Sequence, residues 1–426
     1  MKTKAGTITR ELPFRPGDSV YLPQLVASFR RARELLFNTR LFNNVVVSLK
    51  NFNGMLVDVQ VDVTERWYIF PVPYFRPVDR NLSAWADKNY SLSRVNYGVK
   101  FLHSNFTGRN DRLRIWLLTG YARQFQLNYD QPAADKSMQH GFGFGVLYSA
   151  LREVNSSTLD NRQVFINPEN VSPSGHYLLR QSTATLNYFY RPALTTRHVF
   201  RLGASYLQPD SIVYAVNPKF LSTTSARVCY PEFSYSLEYQ HVDYVSYVLT
   251  GFMGDLNFTR KGLGSNMDLS QFTGRFTTGY PLGQGFNLGF QGYGTLRLPL
   301  DQPFYNQRLL GYGDTYLRGL EPYVVDGVAG GLLRTTFRKH LLSFNINGSR
   351  IPTLQTIPFS LYTKVYGDAG YVYNRSNRNN SLVNTLLYTA GAGLDLVSAY
   401  DFVFRAELSI NQLGRTGIFF HLRNDF

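Results

Sequence analysis

Cysteine is almost missing from this 426-residue chain, with Cys229 the only one. A lone cysteine rules out an intramolecular disulfide and a cysteine-based metal centre. Charged side chains are scarce too, at 17%. There is no run of about 18 apolar residues, which excludes a transmembrane helix. It does not exclude a membrane protein, because a transmembrane strand needs only about 10 residues with every second one apolar. The opening Met1-Lys-Thr-Lys-Ala-Gly6 lacks the apolar core of a signal peptide.

What is present in excess is aromatic. Tyr and Phe number 30 and 32, aromatics make up 15% of the chain, and there are 35 glycines against an ordinary apolar content of 44%. Aromatic girdles, alternating faces and tight turns are what a membrane β-barrel uses. The formal net charge is +15. The basic residues are scattered through strand-like segments rather than gathered in runs, which argues against nucleic-acid binding. Anionic lipid headgroups or a positive, polar lumen suit the charge better.

Residues 1–66 read as a small α+β domain. A short helix is predicted over Thr7 to Leu12, and Arg15-Pro-Gly-Asp18 turns the chain. A second helix opens at Pro23, well placed at a first helical position, and runs to about Phe37. Leu25, Phe29, Ala32 and Leu36 give it one apolar stripe. Two strands follow around the turn Asn51-Phe-Asn-Gly54, the second with Val57, Val59, Val61 and Val63 in alternation. Residues 67–93, with Trp67, Tyr68, Phe70, Tyr74, Phe75 and Trp85 crowded around three prolines, read as a connector at a membrane–water interface.

From 94 onward the pattern is period two. Fifteen runs can be marked, from 94–106 to 416–426. Alternation is plainest in Thr183-Ala-Thr-Leu-Asn-Tyr-Phe-Tyr190 and Glu232-Phe-Ser-Tyr-Ser-Leu-Glu-Tyr239. Closed single-chain bacterial barrels have an even strand count, so sixteen are expected, with Ser211 to Val216 the first place to seek the missing one. A propeller would show a blade repeat, and none is visible. Between the tenth and eleventh runs lies 299–327, too polar and Gly-rich for a strand. At its heart is Leu310-Gly-Tyr-Gly-Asp-Thr-Tyr-Leu-Arg-Gly-Leu320.

Several segments together resemble the BamA/TamA outer-membrane assembly superfamily. Phe37-Asn-Thr-Arg-Leu-Phe-Asn-Asn-Val45 and Val61-Asp-Val-Thr-Glu-Arg66 are similar to its last polypeptide-transport-associated (POTRA) domain, here without its first strand, which is expected upstream of Met1 together with a leader. Leu317-Arg318-Gly319-Leu320 resembles the family's inserted-loop motif, with Leu320 in place of an aromatic. The resemblance implies a loop between the eleventh and twelfth strands that tucks into the lumen. Its Arg318 would pair with Asp368 in Val365-Tyr-Gly-Asp-Ala-Gly370, with Gly370 alongside. Arg415-Thr-Gly-Ile-Phe-Phe-His-Leu422 fits the bacterial outer-membrane targeting pattern at Arg415, Gly417, Phe420 and Leu422. Asn105-Phe-Thr-Gly-Arg-Asn110 resembles the family's short first turn, which makes 94–106 the first strand. Closure against 416–426 would then put Asn96, Gly98, Gly417, Phe420, Leu422 and Phe426 on the seam strands.

The fold so implied is an all-β membrane protein: an incomplete POTRA domain (1–66), a connector (67–93) and a sixteen-stranded antiparallel transmembrane barrel (94–426). The implied function is assembly of client barrel proteins through a lateral seam. Alternatives are a two-partner-type secretion pore and, in another class, a passive solute channel. Implied partners are unfolded outer-membrane proteins, outer-membrane lipids, periplasmic chaperones and accessory lipoproteins, with no nucleic acid and no cofactor. The expected location is a bacterial outer membrane with the POTRA domain in the periplasm. Enzyme activity is not expected. Gly289-Phe-Gln-Gly292 and Gly141-Phe-Gly-Phe-Gly145 lie inside strands rather than before helices, so they cradle no phosphate. No Gly-x-Ser-x-Gly elbow occurs, and the seven histidines show no metal spacing.

Overall fold

A computed structural model describes residues 2–77, 90, 92–166, 177–264, 266–347, 356–375, 380–398 and 401–423. The chain opens with helices α1 (Ala5–Arg10) and α2 (Leu22–Asn38), then the antiparallel pair β1 (Phe42–Asn53) and β2 (Leu56–Glu65). Pro23 sits in the first turn of α2, where a missing N–H breaks no helical bond. Leu36 packs with Leu41, Phe42, Val45 and Tyr68, and Val61 and Val63 close the cluster. The outer half of the hairpin, with Val57 and Val59, is exposed.

One sixteen-stranded antiparallel sheet follows. Its order is β3 (Ile69–Pro77), β4 (Val95–Ser104), β5 (Arg112–Gly120), β6 (Arg123–Gln131), β7 (His140–Leu151), β10 (Leu179–Tyr190), β11 (Thr196–Pro209), β12 (Val228–Val242), β13 (Gly251–Gly264), β14 (Met267–Gly283), β15 (Phe286–Leu298), β18 (Ala329–Asn347), β19 (Thr356–Tyr373), β20 (Leu386–Ser398), β21 (Val403–Asn411) and β22 (Thr416–Arg423). A hairpin of β8 (Val154–Leu159) and β9 (Arg162–Ile166) and a small pair, β16 (Arg308–Leu310) with β17 (Val325–Asp326), lie outside it. Among the described residues no ladder joins β3 to β22. No helix of the described residues is long and apolar enough to cross a membrane.

The sixteenth strand is not where the sequence pattern sought it. Ser211–Val216 is a helix, α3, whose start is capped by Asp210 accepting from the Ile212 N–H. The strand is β3, inside the stretch read as a connector. Pro71, Pro73 and Pro77 masked it, because proline is depleted from strands except at edges. Two readings that depended on 94–106 being first are corrected with it. Asn96 and Gly98 belong to the second strand, one in from the sheet edge. The turn Asn105–Asn110 joins the second strand to the third. Trp85 and Phe426 lie outside the described residues.

Alternation along the strands sorts the two faces. Leu186, Leu256 and Phe420 are 67%, 63% and 67% exposed and stand on the outward face. Near one end, stacked and tilted rings including His140, Tyr188, Phe200 and Tyr235 form an outward aromatic run of the sort that girdles a membrane barrel. The inner face carries the polar groups. Gly143 leaves room there for Asp130, whose Oδ1 would lie 2.3 Å from an added Cβ, and Asp130 accepts from Asn187 Nδ2. The sheet curls on itself: Tyr247, between β12 and β13, donates to Asp395 on β20 (2.9 Å).

The N-terminal elements dock on the strand turns. Lys4 N–H and the Thr7 hydroxyl donate to Gly108 O, Glu11 pairs bidentately with Arg191 (2.6 and 2.8 Å), and the Asn38 side chain bonds the backbone at Val242, Asp243 and Val245. Arg66 Nη1 meets the buried Asp401 carboxylate at 2.8 Å, where Tyr244 and Ser246 also donate. Burial alone would raise the pKa of Asp401, but Arg66 and Arg40 outweigh it and hold the carboxyl below its usual 3.8. A depressed pKa contributes stability above the unperturbed value and loses it as pH falls through the lowered one. Docking is therefore expected to persist at neutral and mildly acidic pH and to weaken only below about 4. Asp401→Asn is expected to loosen the domain at neutral pH, read as faster protease cleavage within 1–66. Unchanged cleavage would show that this pair does not hold it.

Candidate functional site

The eleventh strand, β15, leads into a loop that folds against the inner face before the twelfth, β18. Two arginines hold its stem and tip. Arg297, at the end of β15, donates to the carbonyls of Asn306, Gly327 and Arg308. Arg334 on β18 donates to Tyr316 O. Leu309, Leu310, Leu317 and Leu320 pack with Leu332, Val372 and Leu387 in one buried cluster, so the loop's apolar positions fill the interior while its polar ones bond the wall.

At the tip the structure brings Arg318 and Asp368 together. Arg318 Nε and backbone N–H donate to Asp368 Oδ2 (2.9 and 3.1 Å), and Nη2 reaches Oδ1 at 2.5 Å. The guanidinium also donates to Thr336 Oγ1 and lies 3.8 Å from the centroid of the Tyr366 ring. Both partners are buried. Such a fork satisfies charge and geometry at once. Gly319 has φ +89°, and an added Cβ would fall 2.7 Å from that of Ser409, so the backbone passes where no side chain fits. Asn411 Nδ2 donates to its carbonyl (2.7 Å). Gly370 gives way to Leu317, whose Cδ1 would be 3.0 Å from an added Cβ.

A second buried charge group lies beside the first. Lys364 Nζ reaches Asp395 Oδ1 and Glu407 Oε1, each at 2.5 Å, and Arg318 Nη1 lies 3.8 Å from Glu407. The Tyr366 and Ser409 hydroxyls are 2.5 Å apart. Sequence reasoning singled out neither Lys364, Asp395 and Glu407 nor the flanking Arg297 and Arg334. A signal existed: on β19, Lys364 and Tyr366 share the parity of Asp368, so one inward charge marks the others.

The open edges differ from each other. Ser104 N–H donates to Tyr68 O (2.9 Å), so even-numbered backbone groups of the first strand face β4 and odd-numbered ones face the open edge, as strand hydrogen bonding alternates. Pro71, Pro73 and Pro77 are all odd, and each removes a donor from that edge. On β22 the Asn411 N–H donates to Arg415 O, which turns the even positions Thr416, Ile418, Phe420 and Leu422 to the open edge, with every N–H kept. Phe420 and Leu422 point their side chains outward, and Gly417 pairs with Ser409 inside the sheet.

No family model matches the chain, and no curated protein matches it in sequence. Solved structures share its fold. BamA from Haemophilus ducreyi lacking POTRA domains 1-3 is 15% identical, with TM-score 0.53, over 99% of this chain and 81% of that one. CdiB from Escherichia coli is 13% identical, with TM-score 0.55, over 99% and 73%. CdiB from Acinetobacter baumannii is 13% identical, with TM-score 0.50, over 99% and 71%. The fold is thus that of the BamA and CdiB structures, and with its apolar outward face it fits an outer-membrane location.

Arg318→Ala would leave Asp368 buried without its counter-charge, a loss of about 3–5 kcal/mol. The variant is expected to unfold at a lower temperature in a heat-dependent gel-shift assay, with Arg318→Lys in between. Wild-type behaviour in both would show that the pair does not hold the loop.

Proposed function

We propose that the chain inserts client β-barrel proteins into a bacterial outer membrane at the seam between β3 and β22. The observation that carries this reading is the parity of the prolines on β3. An unpaired backbone group in hydrocarbon costs several kcal/mol, so an edge meant to part benefits from having few donors to strand. Pro71, Pro73 and Pro77 supply that on one side. The other side keeps all its donors, and a client strand adds to β22 by β-augmentation. The client's own ladder then grows from that template, and the free energy of its folding into the bilayer drives the step without nucleotide, cofactor or enzymatic chemistry.

The N-terminal elements fit the role of a periplasmic POTRA domain. Their arrangement of two helices and a hairpin leaves strand edges for unfolded clients or their chaperones, and the surface is open to accessory lipoproteins. The loop pinned by Arg318 and Asp368 occupies the interior and weighs against a passive solute channel.

The test is reconstitution in liposomes with a urea-denatured barrel client, its folding followed by gel shift. The wild-type chain is expected to speed folding over empty liposomes. Pro71→Ala with Pro73→Ala, which restores two donors to the edge, is expected to reduce that acceleration several-fold. Acceleration unaffected by the substitutions would contradict the seam mechanism. Solute flux with no acceleration would favour a secretion pore or channel instead.

A further inference from the structure

We propose that Glu321, Glu407 and His421 form a binding site for one divalent transition-metal ion of the zinc class, clipping the inserted loop to the last strand. The three residues come from three elements: the loop, β21 and β22. Their ligand atoms lie within 4.8 Å of one another. His421 Nε2 is 3.4 Å from Glu321 Oε1 and 3.3 Å from Glu407 Oε2. Zinc bonds of about 2.0–2.2 Å set tetrahedral ligand atoms about 3.3–3.6 Å apart, so the two separations from His421 suit an ion between the imidazole and each carboxylate.

Each ligand is also oriented from behind. Glu321 Oε2 accepts from the Gly319 N–H (2.7 Å), which leaves Oε1 facing the centre. Glu407 Oε1 is taken by Lys364 (2.5 Å), which leaves Oε2. The Tyr316 hydroxyl contacts His421 Nδ1 at 3.2 Å, and its ring stacks on the imidazole with centroids 5.4 Å apart. Such partners fix tautomer and direction in metal sites. Glu321 Oε1 and His421 Nε2 are shielded from solvent and have no hydrogen-bond partner, and the Glu407 side chain is only 2% exposed. Three cations stand close by and each has another anion: Lys364 is shared with Asp395, Arg318 is matched by Asp368, and Arg405, opposite His421 on β21, lies 4.0 Å from Asp395. One imidazole and two carboxylates suit zinc, iron(II) or manganese better than calcium or magnesium. Three protein ligands would leave a four-coordinate ion one further position for a water molecule. No sequence spacing could reveal this set, because the three residues meet only through the sheet register and the loop's return.

The experiment is isothermal titration of the purified full chain in detergent, stripped with chelator, with zinc chloride and separately with magnesium chloride. One saturable zinc site is expected, with magnesium binding at least about tenfold weaker. His421→Ala and, separately, the conservative Glu321→Gln are each expected to weaken zinc binding by about tenfold or more. Zinc is expected to raise the temperature of the heat-dependent gel shift for the wild type and not for either variant. Absence of saturable binding, or binding and protection unchanged in a folded Glu321→Gln protein, would overturn the site. In either case a histidinium ion pair would account for the cluster.

Discussion

A strand edge within a bilayer must find partners for its backbone or carry few groups that need them. The two ends of this sheet meet that constraint in opposite ways. β3 removes donors from its open side with alternate prolines, while β22 retains all of its own. The prolines are tolerable only because β3 is an edge. In an interior strand each would delete a ladder bond, and here their parity leaves the pairing with β4 unbroken from Ile69 to Pro77.

The inner face amplifies the asymmetry. Its buried ion pairs, Arg318 with Asp368 and Lys364 with Asp395 and Glu407, gather on β19, β20 and β21, beside β22. They stiffen the donor-rich side by tying neighbouring strands and the inserted loop to one another. The proline-bearing side is tethered differently. Only Arg66, Trp67 and Tyr68 separate β2 from β3, and Arg66 is itself locked to Asp401. The donor-poor edge thus follows the docked N-terminal elements, and the donor-rich edge follows the loop.

Much of this was legible in the sequence. Alternation located fifteen of the sixteen strands because outward positions had to be apolar, while Leu317-Arg-Gly-Leu320 and its counter-charge Asp368 were legible only through the resemblance to a known inserted-loop motif, since no local pattern names an arginine's partner. What stayed hidden depended on context that the local pattern does not carry. Prolines in β3 spoke against a strand until its edge position was known. Ser211–Val216 alternates weakly, but Asp210 capping made it a helix. Lys364, Glu407 and His421 looked like isolated charges, because their meeting depends on register across β19, β21 and β22 and on a loop returning from far along the chain.

The most direct test places a photoreactive side chain at one backbone position at a time and asks where a stalled barrel client is captured. Capture at Ile418 and Phe420 on β22, well above that at Arg334 or Tyr293 on the inner face, is the result an edge-templating seam requires. Capture along the inner face, with β22 silent, would contradict it and place the client's path through the interior.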